Sequence, residues 1–241
     1  MRFFLSKVCK YLPVLTLGLV VLNALSVFMG DRIFILRYVP LFTVLFFLVY
    51  YIIKAHSIKY IVIAILVMLI LREISVFYYH QNFGQITYIL LGCIAYALIL
   101  VERLDIVGIL LKDKTTIMCT LIFVGLNIFI LNELISLVKE SYQGSFQYGL
   151  VFIFGIIISL LGAIAVLYNQ VINSDRSLAF LFSVFCFIFS EVASLLGYYF
   201  GIYYFFYIDF ISATVGLAFF MYSLLDVCSL EQEKDQLENL L

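Results

Sequence analysis

The feature that most constrains this chain is a succession of apolar runs about twenty residues long, each closed by a short polar or charged cluster. A helix that crosses the roughly 30 Å hydrocarbon core needs about 20 mostly apolar residues at about 1.5 Å each. By that measure the sequence predicts eight spans, over 11–29, 33–53, 60–79, 86–101, 116–138, 147–171, 177–198 and 205–228. The breaks fall at Gly30-Asp31-Arg32, Lys54 to Lys59, His80-Gln81-Asn82, Glu102 to Thr115, Lys139 to Gln147 and Asn173 to Arg176. Gly201-Ile202-Tyr203 is the weakest break, and a seven-span or re-entrant arrangement is the alternative there. Hydrophobic residues make up 66% of the chain and charged residues 12%, too little polar surface to cover a soluble globule and too apolar for disorder. The fold class that follows is all-α, a polytopic eight-helix transmembrane bundle. It forms one domain over 1–228 with a short charged tail over 229–241.

Lysine and arginine orient it. With the N-terminus in the cytoplasm, the inner segments carry Arg2, Lys7, Lys10, Lys54, Lys59, Arg103, Lys112, Lys114, Arg176 and Lys234, against Arg32 and Lys139 outside. That bias puts both termini in the cytoplasm. Arg2, Lys7 and Ala24-Leu25-Ser26 also sketch a signal peptide, but cleavage would leave seven spans with the same charged loops to hold inside, so residues 11–29 read as a span. Tyr78-Tyr79, Tyr198-Tyr199, Tyr203-Tyr204 and Tyr207 fall at the outer ends, as an aromatic belt does. Leu104 to Leu111 is too short to cross and reads as a surface-lying connector, and Glu231 to Leu241 as a cytoplasmic extension of the last helix.

The balance of 14 Lys+Arg against 15 Asp+Glu gives no basic footprint for nucleic acid. Five dispersed cysteines form no CxxC pair, and His56 and His80 stand in separate loops, so neither a metal site nor a Ser-His-Asp triad is indicated and no cofactor is called for. The informative residues are ionisable groups at membrane depth, which are expensive and face a bundle interior or a wet cavity. They are Arg37, Arg72, Glu73, Glu133, Glu191 and Asp209, with Asp226 set aside as interfacial. Glu73 is 14 residues from Lys59 and Glu191 is 15 from Arg176, placing both about 21–22 Å above the cytoplasmic face. The six therefore cluster in the outer half and predict one polar cavity near the outer face. A purely structural role, by snorkelling or by pairing between helices, is the competing explanation. Leu71-Arg72-Glu73-Ile74-Ser75, Leu131-Asn132-Glu133-Leu134-Ile135-Ser136 and Phe189-Ser190-Glu191-Val192-Ala193-Ser194 also echo one another, each with a Glu soon followed by Ser.

At these residues the chain resembles the YhhN-like family of integral membrane proteins, which includes the lysoplasmalogenases, over residues about 33–228. That family has eight helices, with a Lys-Pro step opening the second, Gly-Asp late in the third, His-x-x-Tyr in the fourth and Ser-Asp late in the seventh. Here Val39-Pro40 stands in the Lys-Pro place and Arg72-Glu73 in the Gly-Asp place. Cys93-Ile94-Ala95-Tyr96 keeps the Tyr but has Cys where the family has His. Ser190-Glu191 stands in the Ser-Asp place, after Leu178-Ala179-Phe180-Leu181-Phe182. Both acidic positions keep their charge with one more methylene, while the Lys and His are replaced.

The resemblance implies hydrolysis of the vinyl ether of a lysoplasmalogen to a fatty aldehyde and glycerophosphoethanolamine or glycerophosphocholine. Such a bond is cleaved by protonating its β-carbon, and two carboxyls kept apart in pKa suit that task. The expected catalytic pair is Glu73 and Glu191. Arg72 and Arg37 would bind the phosphate, with Tyr96, Glu133, Asp209 and Ser190 completing the substrate site. The expected partners are the membrane and a lipid or lysolipid, and the expected location is the bacterial inner membrane. The alternative is a non-catalytic lipid-binding or accessory protein that keeps the fold. Transport is a third class, less well served because Pro13 and Pro40 are the only prolines and no matching pair of Gly/Pro interruptions appears.

Overall fold

The computed structural model describes residues 11–28, 33–55, 57–79, 81–103 and 145–225, together with Met118, Ile122, Val124, Gly125, Ile128, Phe129, Asn132 and Glu133. Among them there is no strand, and seven helices run along the chain: α1 (Leu12–Phe28), α2 (Ile33–Lys54), α3 (Tyr60–Ser75), α4 (Asn82–Glu102), α5 (Ser145–Ile172), α6 (Asp175–Tyr199) and α7 (Phe205–Leu225). A 3₁₀ turn, Val76–Tyr78, extends α3. Five stretches are long and apolar enough to cross a membrane: Tyr60–Tyr78, Phe83–Glu102, Phe146–Ile172, Asp175–Tyr199 and Phe205–Leu225. The protein is thus all-helical and built as a multi-pass membrane protein. The eight isolated described positions from Met118 to Glu133 are also helical. Most of the predicted span over 116–138 lies outside the described residues, as do the 104–111 connector and the tail.

Two boundaries have visible causes. At the start of α6, the Ser174 and Ser177 side chains each accept from the other's backbone N–H, a capping box that begins the helix two residues before the apolar run. At its end, Gly201 adopts φ 67°, a left-handed conformation that glycine takes without a Cβ penalty, and α6 and α7 are separate helices. The weakest break in the sequence is therefore a real turn.

The chain divides into two compact units, Met1–Ile58 with Tyr168–Leu241, and Lys59–Leu167. In the first, α6 and α7 pack along each other, and α7 also meets α1 and α2. Phe47, Tyr51, Phe180, Phe220 and Met221 fill its core. Gly216 lets Phe187 approach α7 closely, since a Cβ there would stand 3.0 Å from the ring. Several polar groups inside this unit bond across helices. Asn23 Nδ2 on α1 donates to Thr43 Oγ1 on α2 at 3.0 Å and to Thr214 Oγ1 on α7 at 3.1 Å. The buried Arg176 donates from Nε to the Ser223 carbonyl near the carboxy end of α7, where a cation also meets the negative end of the helix dipole.

In the second unit α3 and α4 form a helical hairpin. Its open end is tied by Glu102, whose carboxylate pairs with Lys59 Nζ and Arg103 Nε, both at 2.8 Å. Near its closed end, Gly84 packs against the chain so tightly that a Cβ would lie 2.0 Å from the Tyr78 carbonyl oxygen. Gly84→Ala is expected to cost about 1–3 kcal/mol through overpacking and to lower the thermal midpoint in detergent. Gly18→Ala, where nothing lies within 4 Å, should leave the midpoint level or raised, because Ala is the better helix former.

Candidate functional site

The most developed polar site among the described residues is built on the α3–α4 hairpin and the first half of α5. On α4, Gln85, Tyr88, Gly92 and Tyr96 recur at intervals of three and four residues, so they share one helix face. Arg72 of α3 enters that face and is 4% exposed. Its Nη2 donates to the Tyr88 hydroxyl, and its guanidinium carbon sits 4.1 Å from the centre of the Tyr88 ring. The rings of Phe154 and Tyr96 lie 5.7 and 5.9 Å from the same carbon. Each is within cation–π range, and such contacts strengthen as water is excluded. The two rings touch one another at 5.6 Å, and Tyr79 meets Tyr88 edge-on at 5.5 Å.

Gly92 creates the room. A Cβ at that position would be 2.9 Å from Phe154 Cε2 and 3.4 Å from Arg72 Nε. Two turns nearer the start of α4, Gln85 Oε1 accepts from Nε2 of the buried Gln147 on α5 at 2.6 Å. Ile89 and Val151 pack beside this seam, with Cys93, Tyr148 and Phe152 against them. The seam runs from an amide pair through a phenol–guanidinium pair to an aromatic floor. A buried cation with oriented donors is suited to holding an anion, and the floor to holding an apolar chain.

The predicted residues divide between the two units. Arg72 and Tyr96 meet in the seam just described. Glu73, the next residue on α3, is partly buried in the same unit, and Glu133 is helical and exposed. In the other unit Ser190 is buried and donates from Oγ to Asp209 Oδ1 at 2.5 Å, joining α6 to α7, and Glu191 is partly buried beside it in sequence. The backbone of Arg37 is in α2, and its side chain lies outside the described residues, as do His56, His80 and Asp226. No group of three or more His, Cys, Asp or Glu side chains among the described residues is placed to hold a metal ion.

Sequence reading missed Tyr88, Gly92, Gln85, Gln147 and Phe154. A signal existed for three of them: Gln85, Tyr88 and Gly92 continue the helical stripe that ends at Tyr96, and only Tyr96 attracted attention. It also missed the Asn23, Thr43 and Thr214 node, since uncharged polar residues within apolar runs carry little weight in a search for charges. The chain matches no protein-family model, no curated protein and no solved structure.

Tyr88→Phe is expected to remove the hydrogen bond to Arg72 and keep the ring, costing about 1–2 kcal/mol of stability in detergent. Gly92→Ala should cost at least as much, because Phe154 must move. Equal unfolding midpoints for wild type and Tyr88→Phe would show that the phenol–guanidinium bond contributes nothing.

Proposed function

We propose that the chain is a YhhN-like protein of the bacterial inner membrane, with both termini cytoplasmic, that hydrolyses the vinyl ether of a lysoplasmalogen. The observation that carries this reading is Arg72, a buried arginine inside a spanning hairpin, fixed by Tyr88 and aromatic rings and adjacent in sequence to the acidic residue Glu73. A lysolipid presents one phosphate and one apolar chain, and the seam offers a cation followed by rings. The sequence resemblance supplies the chemistry and the second acid.

In that chemistry one carboxyl, on Glu73 or Glu191, gives its proton to the β-carbon of the vinyl ether, and the π electrons form the new C–H bond. The cation left on the α-carbon is shared with the ether oxygen as an oxocarbenium ion, which the other, ionised carboxylate stabilises. That carboxylate then takes a proton from water as its oxygen bonds the α-carbon. The resulting hemiacetal transfers its hydroxyl proton, through the carboxylates, to the leaving glycerol oxygen. The C–O bond breaks, and fatty aldehyde and glycerophospho-alcohol are released. One water is consumed and both carboxyls return to their starting states. Arg72 and Arg37 hold the phosphate in this scheme, and Tyr96, Ser190, Glu133 and Asp209 shape the site.

A second reading, a lipid-binding protein without turnover, is favoured by one specific observation: Ser190 and Asp209 spend their polar atoms on each other, as helix-joining groups do. Cys93 in place of the family histidine points the same way.

Expression in a host without the activity, with aldehyde release measured from lysoplasmenylethanolamine, separates the two. Hydrolysis predicts release that falls about 10²–10⁴-fold in Glu73→Gln and in Glu191→Gln, the range for loss of a general acid or base. Release no higher from wild type than from the double variant overturns the enzyme, and a lysolipid retained without turnover establishes the binder.

A further inference from the structure

The described positions of the fifth apolar run carry a surface that the function above does not use. Met118, Ile122, Gly125, Phe129 and Asn132 are helical and exposed, and they recur at steps of four, three, four and three. That is the heptad spacing by which two helices mesh their side chains along one seam. A Cβ on Gly125, in the middle of the stripe, would meet nothing within 4 Å. Asn132 belongs to the run over 116–138 and stands seven residues before Lys139, about 10 Å along the axis from that charged loop. Lipid offers an exposed amide no hydrogen bond at this depth. Among the described residues no hydrogen bond reaches the Asn132 side chain.

We propose that this stripe is the interface of a homodimer, in which Asn132 of each copy hydrogen-bonds Asn132 of the other across a two-fold axis normal to the membrane. An amide carries both donors and an acceptor, so it is its own complement. Copies inserted in one orientation bring this stripe against itself in parallel, and each of its residues then faces its own counterpart. Gly125 permits the closest approach at the centre, as small residues do between membrane helices. Met118, Ile122 and Phe129 fill the seam on either side. Glu133, exposed beside Asn132, takes a flanking position whose neighbour across a parallel pair is Ile128 of the other copy, so the two acids do not meet. A single polar residue on an otherwise apolar seam also fixes register and the number of strands. That combination favours a second copy over bare lipid, which satisfies the apolar residues of the stripe and leaves the amide unbonded.

Association is measured on the full chain in lipid bilayers, by energy transfer between copies labelled with donor and acceptor at the amino terminus, as the lipid-to-protein ratio is varied. Wild type should follow a monomer–dimer equilibrium. Asn132→Leu should weaken the dimer about three- to twentyfold, the range for a polar contact between membrane helices. Asn132→Gln, which keeps an amide, should retain it, and Gly125→Leu should abolish it. Gly18→Leu, at a glycine equally open on α1, should leave association unchanged. All four positions are exposed substitutions, so circular dichroism should match wild type. A second measurement needs no change to the amide or the glycine. With the five native cysteines replaced by alanine, oxidation should cross-link copies through Phe129→Cys and not through Val124→Cys, which lies off the stripe. A chain that stays monomeric at every ratio overturns the proposal. So does a dimer indifferent to both Asn132→Leu and Gly125→Leu, or cross-linking through Val124→Cys and not through Phe129→Cys. Aldehyde release is not read, so the result stands apart from the hydrolase.

Discussion

Hydrocarbon offers no hydrogen bonds, so every polar atom placed within it must find its partner in the chain itself. Most of the described polar atoms meet that demand, first because the spans are helical and then, side chain by side chain, by returning hydroxyl protons to the backbone, while the buried Asn23 Oδ1 and Ser183 Oγ go without a partner. Thr16, Thr43, Thr87 and Thr214 each donate to the carbonyl four residues earlier, and Ser26, Ser75 and Ser223 to the carbonyl three residues earlier. A hydroxyl whose proton is committed in this way can only accept. That is why the amide nitrogen of Asn23, and not its oxygen, faces Thr43 and Thr214. The three-helix node in the first unit is a consequence of how threonine behaves in an apolar helix.

Arginine poses the same demand with a full charge, and the two buried arginines on α3 and α6 meet it differently. Arg176, at the start of α6, reaches a carbonyl near the carboxy end of α7 and gains from the helix dipole as well. Arg72, in the last turn of α3 before its 3₁₀ extension, has a phenol oxygen and the faces of aromatic rings. The first solution joins two helices at an end, where it fits a structural role. The second puts a rigid cation partway along a spanning hairpin, which a packing role alone does not call for. This contrast makes Arg72 the stronger candidate for function.

Much of the helical order was legible because it depends on one-dimensional properties: run length, apolar content and the charged clusters between runs. The predicted bounds of α2, and of α3 taken with its 3₁₀ extension to Tyr78, hold to within a residue, and those of α5 to within two. The start of α4 was placed four residues late because Asn82, Gly84 and Gln85 are polar or small enough to pass for a loop, although they are helical. Partnership was not legible. Arg72 could be singled out by its depth, but its contact with Tyr88 depends on the angle at which α3 and α4 pack. Likewise, nothing in the sequence near Asn23 identifies Thr214, 191 positions away, as its acceptor. Depth along a helix follows from counting, whereas the direction a side chain faces is set by tertiary packing.

That distinction bears on how a single segment can both hold and transform a lipid. Successive residues of an α-helix project about 100° apart around the axis. Arg72 and Glu73 therefore leave α3 in different directions, Arg72 into the seam between α4 and α5. On the function proposed above, this separation is an advantage. A carboxyl that must deliver a proton should not be neutralised by the guanidinium that fixes the phosphate, because a close cation favours the ionised form and weakens the acid. The bulk of Arg72 is accommodated because position 92 is glycine, where a Cβ would stand 3.4 Å from Arg72 Nε.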